Sequence, residues 1–151
     1  MEFDRRDWTS MHFSTGALSP RQRLPALRDL FERAIRLDID VHPEQPIEMT
    51  VHDAPGVRRA KMLSPLTARL TRPTRMLADG DDTICLMVKT GGHLALSQCG
   101  REETAQHGDG VLLVYREPAV AQFVDATYLS VRVPFAALGT LATNIMLPAF
   151  P

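Results

Sequence analysis

Residues 91–115, GGHLALSQCGREETAQHGDGVLLVY, constrain the fold of this chain more than any other stretch. Leu94, Leu96 and Gln98 alternate with Ala95, Ser97 and Cys99, which is the period of a strand and not of a helix. The apolar run from Val111 to Tyr115 lacks alternation, so it is expected to be buried on both faces or to lie inside a closed sheet. Glycines at 91, 92, 100, 108 and 110 mark sharp bends or positive φ. The stretch predicts two strands folded back through a glycine turn, the corner chemistry of a small β-barrel.

The rest of the chain agrees with that corner. Ser19 suits an N-cap and Pro20 the first helical position, where a missing N–H costs nothing. From there Leu24, Leu27, Phe31, Ala34 and Ile35 recur at three- and four-residue steps, with Arg28, Asp29, Glu32, Arg33 and Arg36 on the other side. This is the pattern of a helix laid on a sheet as a lid. Pro25 predicts that the main helix starts after a short first turn. Beyond Leu37 the period becomes two. Strands are expected at 47–53, 57–63, 66–72, 76–77, 83–89, 94–99, 102–106, 111–115, 120–124 and 127–133, followed by a short helix at 135–143. So many short strands imply a sandwich or barrel. The expected organisation is an N-terminal arm at 1–12 anchored by Trp8, one domain at 13–140, and a tail at 141–151.

A net charge of −1 and a pI near 6.5 argue against the electrostatic footprint of a nucleic-acid-binding surface. No apolar run approaches the roughly 20 residues of a membrane span, and no secretory signal opens the chain, so a cytoplasmic location is expected. Cys85 and Cys99 both sit in strand patterns and read as small buried hydrophobes. Neither has a histidine partner in a recognisable arrangement. No Gly-x-Ser-x-Gly elbow and no phosphate loop is found. A metal would need His42, His52, His93 or His107 gathered from separate strands. What remains is a barrel interior for a small ligand. Met49, Met62, Met76 and Met87 suit an adaptable apolar lining or plain core. The segment 57–75 carries Arg58, Arg59, Lys61, Arg69, Arg72 and Arg75, either a solvated outer face or the source of an inward arginine able to fork onto a carboxylate. The ligand-contacting candidates are Met49, Arg59, Met62, Met87, His93 and Tyr128.

Several pieces in order, FSTGALSPRQRLPALRDLFERAI, RPTR, GDD before ICLMVKTGG, SQCGREETAQHGDGVLL and LSVRVPFAAL, give the chain a resemblance. It resembles the N-terminal ligand-binding domain of AraC/XylS-type transcription regulators in its cupin-like form. The resemblance implies a mainly β fold: a cupin-like β-barrel (double-stranded β-helix or jelly roll) with an N-terminal α-helix and a short C-terminal helix. It implies a domain that senses a small organic effector, often an organic or aromatic acid, and forms a homodimer. DNA would be bound only through a C-terminal helix-turn-helix domain absent from these 151 residues. Gln98, Gly100, Arg101, Gly108 and Asp109 match the family's hairpin and are expected to shape the barrel. The chain departs from that pattern at Phe135, where members often carry an arginine. Metal-binding cupins place a His-x-His pair on one strand; His93 is followed two residues on by Ala95, so no metal, no cofactor and no catalysis are expected. The alternatives are a small cupin enzyme, a metal-dependent oxygenase or isomerase, and a pure dimerisation module with a filled interior.

Overall fold

The computed structural model of the chain describes residues 9–41 and 45–138. Nine antiparallel strands, β1 Thr9–Ser14, β2 Asp38–Val41, β3 Glu48–Ala54, β4 Val57–Met62, β5 Leu66–Arg72, β6 Thr83–Gln98, β7 Arg101–Ala105, β8 Gly110–Val114 and β9 Ala119–Pro134, form one continuous sheet with a helix, α1 Pro20–Leu30, against it. The long strands β6 and β9 pair along their whole length and hold the two halves together. The first half of β9 pairs β5, which carries β2, while its second half pairs β4, which carries β3 and β1. On the far edge of β6, β8 covers the first half and β7 the second.

Both long strands bend at one corner. The register of β6 against β9 shifts between Lys89 and Gly91 and again between Gly91 and His93. Gly92 has φ +70, and a Cβ there would stand 2.1 Å from the Asp125 carbonyl oxygen, so only glycine lets the two backbones approach. Asp125 answers with φ 46 on β9. The buried Lys89 ammonium donates to the Gly92 carbonyl at 2.9 Å and holds the bend.

The bend reverses which side chains face inward. Before it, Cys85, Met87 and Lys89 are buried; after it, Leu94 and Leu96. On β9 the inward set changes from Ala119, Ala121 and Phe123 to Ala126 and Tyr128. A two-residue period counted straight through either strand therefore assigns half of it to the wrong face.

The helix begins at Ser19 and Pro20 as the sequence indicates, with the Ser19 N–H donating to the Gln22 side-chain oxygen at 3.2 Å. Pro25 does not delay it. That residue is exposed, so its missing N–H frees a carbonyl on the side that water reaches. Leu27 and Phe31 are fully buried and fix the helix to the barrel, each worth about 1.5–3 kcal/mol of apolar burial. A π-turn, Phe31–Ile35, ends the helix, and Arg36 follows with φ 60.

Several expectations are corrected. Residues 91–115 form the end of one long strand and two short ones, not two strands, because Gly91 and Gly92 bend β6 without ending it. The strands expected at 83–89 and 94–99 are one, as are those at 120–124 and 127–133. Met76 and Leu77 lie in a 3-10 turn, Thr74–Asp79, in which Met76 is buried. Part of the expected arm is strand β1, paired with β3. Cys99 is exposed: with φ 53 it makes, with Gly100 at φ 74, the two-residue turn between β6 and β7, where both positions require left-handed backbone. The run from Val111 to Tyr115 is buried except for the half-exposed Leu112. After Pro134 a 3-10 turn, Phe135–Leu138, is present; the remainder of the expected helix, the tail 141–151, Trp8 and His42 lie outside the described residues. No described helix is long and apolar enough to cross a membrane.

Candidate functional site beneath the helix end

The barrel interior narrows under the π-turn to a cavity of about 40 Å3, lined by Met49, Met87, Tyr128, Ser130, Arg58 and Arg132 among others. That holds a few waters and falls far short of the roughly 300–1,000 Å3 of a small-molecule pocket. What closes it is a set of arginines on the carbonyl end of the helix.

Every helix leaves its last carbonyls without partners inside the helix. Here the Ala34 carbonyl accepts from Arg58 Nη1. The Ile35 carbonyl accepts from the Tyr115 hydroxyl at 2.9 Å and from Arg132 Nη1 at 3.1 Å, and the Arg36 carbonyl from Arg72 Nη1 at 3.1 Å. Cations at this end also complement the helix dipole.

Each arginine carries a carboxylate partner. Arg58 Nε donates to Asp53 at 2.7 Å, and Arg132 Nη2 pairs with Asp81 while its Nε donates to Thr83 Oγ1 at 2.8 Å. Arg72, whose side chain is fully buried, forks onto both Asp79 oxygens at 2.8 Å and gives its Nε to the Tyr115 carbonyl at 2.9 Å. The Tyr115 ring takes Arg132 at 3.8 Å and Arg72 at 5.0 Å from its centre. Hydrogen bonding from Arg72 holds the Asp79 carboxyl well below the usual carboxylate range. Burial pushes the Tyr115 and Tyr128 hydroxyls upward. Burial likewise pushes the Cys85 thiol, which borders the cavity, up to about 11, so it is a neutral thiol near pH 7 and not a ready nucleophile.

An open groove of about 360 Å3 runs outside the same helix end, lined by Arg33, Arg36, Asp53, Gly56, Arg58 and Arg132 among others. Arg58 and Arg132 line both spaces and stand between the groove and the interior.

The structure brings Met49, Met87 and Tyr128 together on the cavity. Met62 is buried opposite Met49 in the β3–β4 ladder but off the cavity lining. Arg59 is exposed on the outer face, because the inward set of β4 is Arg58, Ala60 and Met62. His93 is also exposed, displaced outward by the bend at Gly91 and Gly92. Arg132 and Tyr115 are absent from the ligand-contacting candidates, and Arg58, one of the arginines named as able to turn inward, takes the place given to Arg59. A signal existed for two of them: once Met62 and Tyr128 face inward, the two-residue period carries Ala60 and Arg58, and Ser130 and Arg132, inward as well.

The hairpin residues serve the frame. Gln98 donates to the Val114 carbonyl at 2.7 Å and accepts the Val114 N–H at 3.1 Å, joining β6 to β8; Gly100 and Arg101 complete the turn into β7. Asp109 accepts the Gln106 N–H at 3.2 Å, closing the turn that Gly108 makes at φ +81. No group of three His, Cys, Asp or Glu side chains among the described residues is arranged to hold a metal ion.

An antiparallel barrel joined by two long bent strands, with a helix seated on its mouth, defines a cupin-like domain. Among solved structures, the chain is similar to the AraC-like transcriptional activator CuxR, with a TM-score of 0.71 at 16% identity over 88% of this chain and 51% of that one. It spans about half of that protein, and the likeness shows a shared fold. Weaker matches include an RmlC-like cupin from Desulfovibrio desulfuricans (TM-score 0.45, 14% identity, 58% of this chain and 82% of that) and KdgF from Halomonas sp. (0.41, 12%, 63% and 83%). No family model matches the chain, and no curated protein matches it in sequence.

Proposed function

We propose that this chain is the regulatory domain of an AraC-type transcription regulator: a cytoplasmic, non-enzymatic, effector-sensing barrel that self-associates and reaches DNA through a separate C-terminal domain. The observation that carries this reading is the seating of the helix end. It closes a cavity bordered by polar groups in a fold shared with a transcriptional activator along 88% of the chain. The effector is a small organic molecule, and a carboxylic acid suits the arginines best. Occupancy changes the seating of the helix, and the helix reports it to the rest of the regulator; this requires different affinities in two states.

Self-association has a candidate surface. Leu86, Leu129 and Val131 are about 40% exposed on adjacent strands of the outer sheet face, with Leu86 directly opposite Val131. A second copy covering this face predicts a dimer by analytical ultracentrifugation that Val131→Glu returns to monomer.

A thermal-shift screen of small carboxylates, aromatics and neutral polyols on the purified chain tests sensing. A stabilisation that grows with ligand concentration supports it, and a well-folded sample that no class stabilises speaks against it. The cavity of only about 40 Å3 favours a second reading, in which the barrel is a rigid self-association module, and that null result is what it predicts. The enzyme reading predicts stoichiometric metal on elemental analysis.

A further inference from the structure

Resting on the sensing reading, we propose that the effector is an anion that takes Arg58 and Arg132 away from the carbonyls of Ala34 and Ile35, so that binding unseats the end of the helix.

Three observations converge. The interior has no room for an organic molecule while the π-turn is seated, so something above it must move. The residues above it are Arg58 and Arg132, the two arginines that line the outer groove as well, so a molecule passing from the groove to the interior passes these two guanidiniums. Each donates to a carboxylate and to a helix carbonyl: Asp53 and Ala34 for Arg58, Asp81 and Ile35 for Arg132. The carbonyls are the weaker half of each set, because a guanidinium–carboxylate contact adds the attraction of two full charges to the hydrogen bond, whereas a carbonyl offers only a dipole. An incoming carboxylate therefore displaces the carbonyls and leaves the aspartates in place.

The groove is lined by Arg33, Arg36, Arg58 and Arg132, each paired with a carboxylate, Asp29, Asp79 and Asp81, Asp53, and Asp81 respectively, so an entering anion is held by bidentate contact with a guanidinium and not by an excess of positive charge. The part that moves is a short π-turn followed by a left-handed residue, Arg36, and Leu37 is held to the turn by one N–H bond to the Phe31 carbonyl at 3.0 Å. Once Ala34 and Ile35 lose their arginines, the Tyr115 hydroxyl still caps Ile35. The turn then loosens about Phe31, whose buried ring keeps the helix attached. Behind the arginines, the lining of Met49, Met87 and Tyr128 receives the apolar body of the ligand.

The test compares benzoate with benzamide, the same shape without the charge, on the whole chain. Melting temperature and amide hydrogen exchange are read together. The expected result is saturable stabilisation by benzoate and not benzamide, with exchange at Ile35 to Leu37 rising at least tenfold on binding. Arg58→Gln should weaken benzoate at least tenfold, and Arg132→Lys, which keeps the charge but loses the fork, should do so while the chain stays folded. Equal binding of both compounds, or slower exchange at the turn on binding, overturns the inference. Stabilisation by neutral polyols alone also overturns it and leaves the sensing reading standing. Binding by no compound of any class removes the sensing reading and this inference with it.

Discussion

Two sets of guanidiniums meet the same helix end, and they differ in what lies behind them. Arg72 forks onto Asp79, caps the Arg36 carbonyl and is wholly enclosed, with no open space beside it in the interior cavity. Arg58 and Arg132 make similar bonds to neighbouring carbonyls but border the cavity on one side and the groove on the other. The chemistry is the same, yet one set is a fastening and the other is a place where a competing anion can arrive. Burial separates the extremes: the Arg72 side chain is sealed and its pair costly to break, whereas the Arg58–Asp53 pair is 30% and 42% exposed and can exchange partners at little cost. Arg132 and Asp81, 11% and 7% exposed, are nearly as enclosed as Arg72, so Arg58 is the one an anion reaches first.

The largest effect that sharpens this contrast comes from the sealed side. Arg72→Ala empties the space of a fully buried side chain and leaves the Arg36 and Tyr115 carbonyls without their guanidinium donor, and should cost about 3–5 kcal/mol. That is a fall of roughly 10 °C in melting temperature, measured by differential scanning calorimetry, and it should be the same with and without ligand.

Acid tests the same pair more gently. The Asp79 carboxyl is held low in the folded state, so its contribution is fully present above the unfolded value of about 4 and is lost as pH falls below it. Chemical denaturation between pH 6 and pH 3 should show this loss in the native chain, and Asp79→Asn should remove that component. An unchanged profile would break the claim that the pair is a fastening.

On the open side, Arg58→Ala should cost only about 1–2 kcal/mol, because its pair with Asp53 is 30% and 42% exposed and one carbonyl bond is lost with it. A loss as large as that of Arg72→Ala would erase the difference between the two sets. The smallest effect is expected where they meet. Tyr115→Phe keeps the ring between Arg72 and Arg132 and removes only the hydroxyl bond to Ile35, about 1 kcal/mol by equilibrium unfolding.

Much of the frame was legible in the sequence because it depends on local chemistry. Ser19 and Pro20 start the helix, alternation marks β3, β4 and β5, and Gly100 and Gly108 sit where the chain turns. Met49, Met87 and Tyr128 could be placed inside for the same reason. Placing Arg59 inside runs against the count, since Met62, also placed inside, carries Ala60 and Arg58 inward at the two-residue period. His93 could not be placed by counting, because the reversal at Gly92 depends on an approach to Asp125, 33 positions further along the chain.

The sequence by itself determined which segments are extended, where the helix begins and which side chains carry charge, since each follows from a residue and its near neighbours. Only the tertiary structure decided that Arg58, Arg72 and Arg132, from three different strands, end on three successive carbonyls of one helix turn, with Asp53, Asp79 and Asp81 behind them. Such pairing depends on the register of strands distant in sequence and on two coupled bends, and no pattern within a single strand records either.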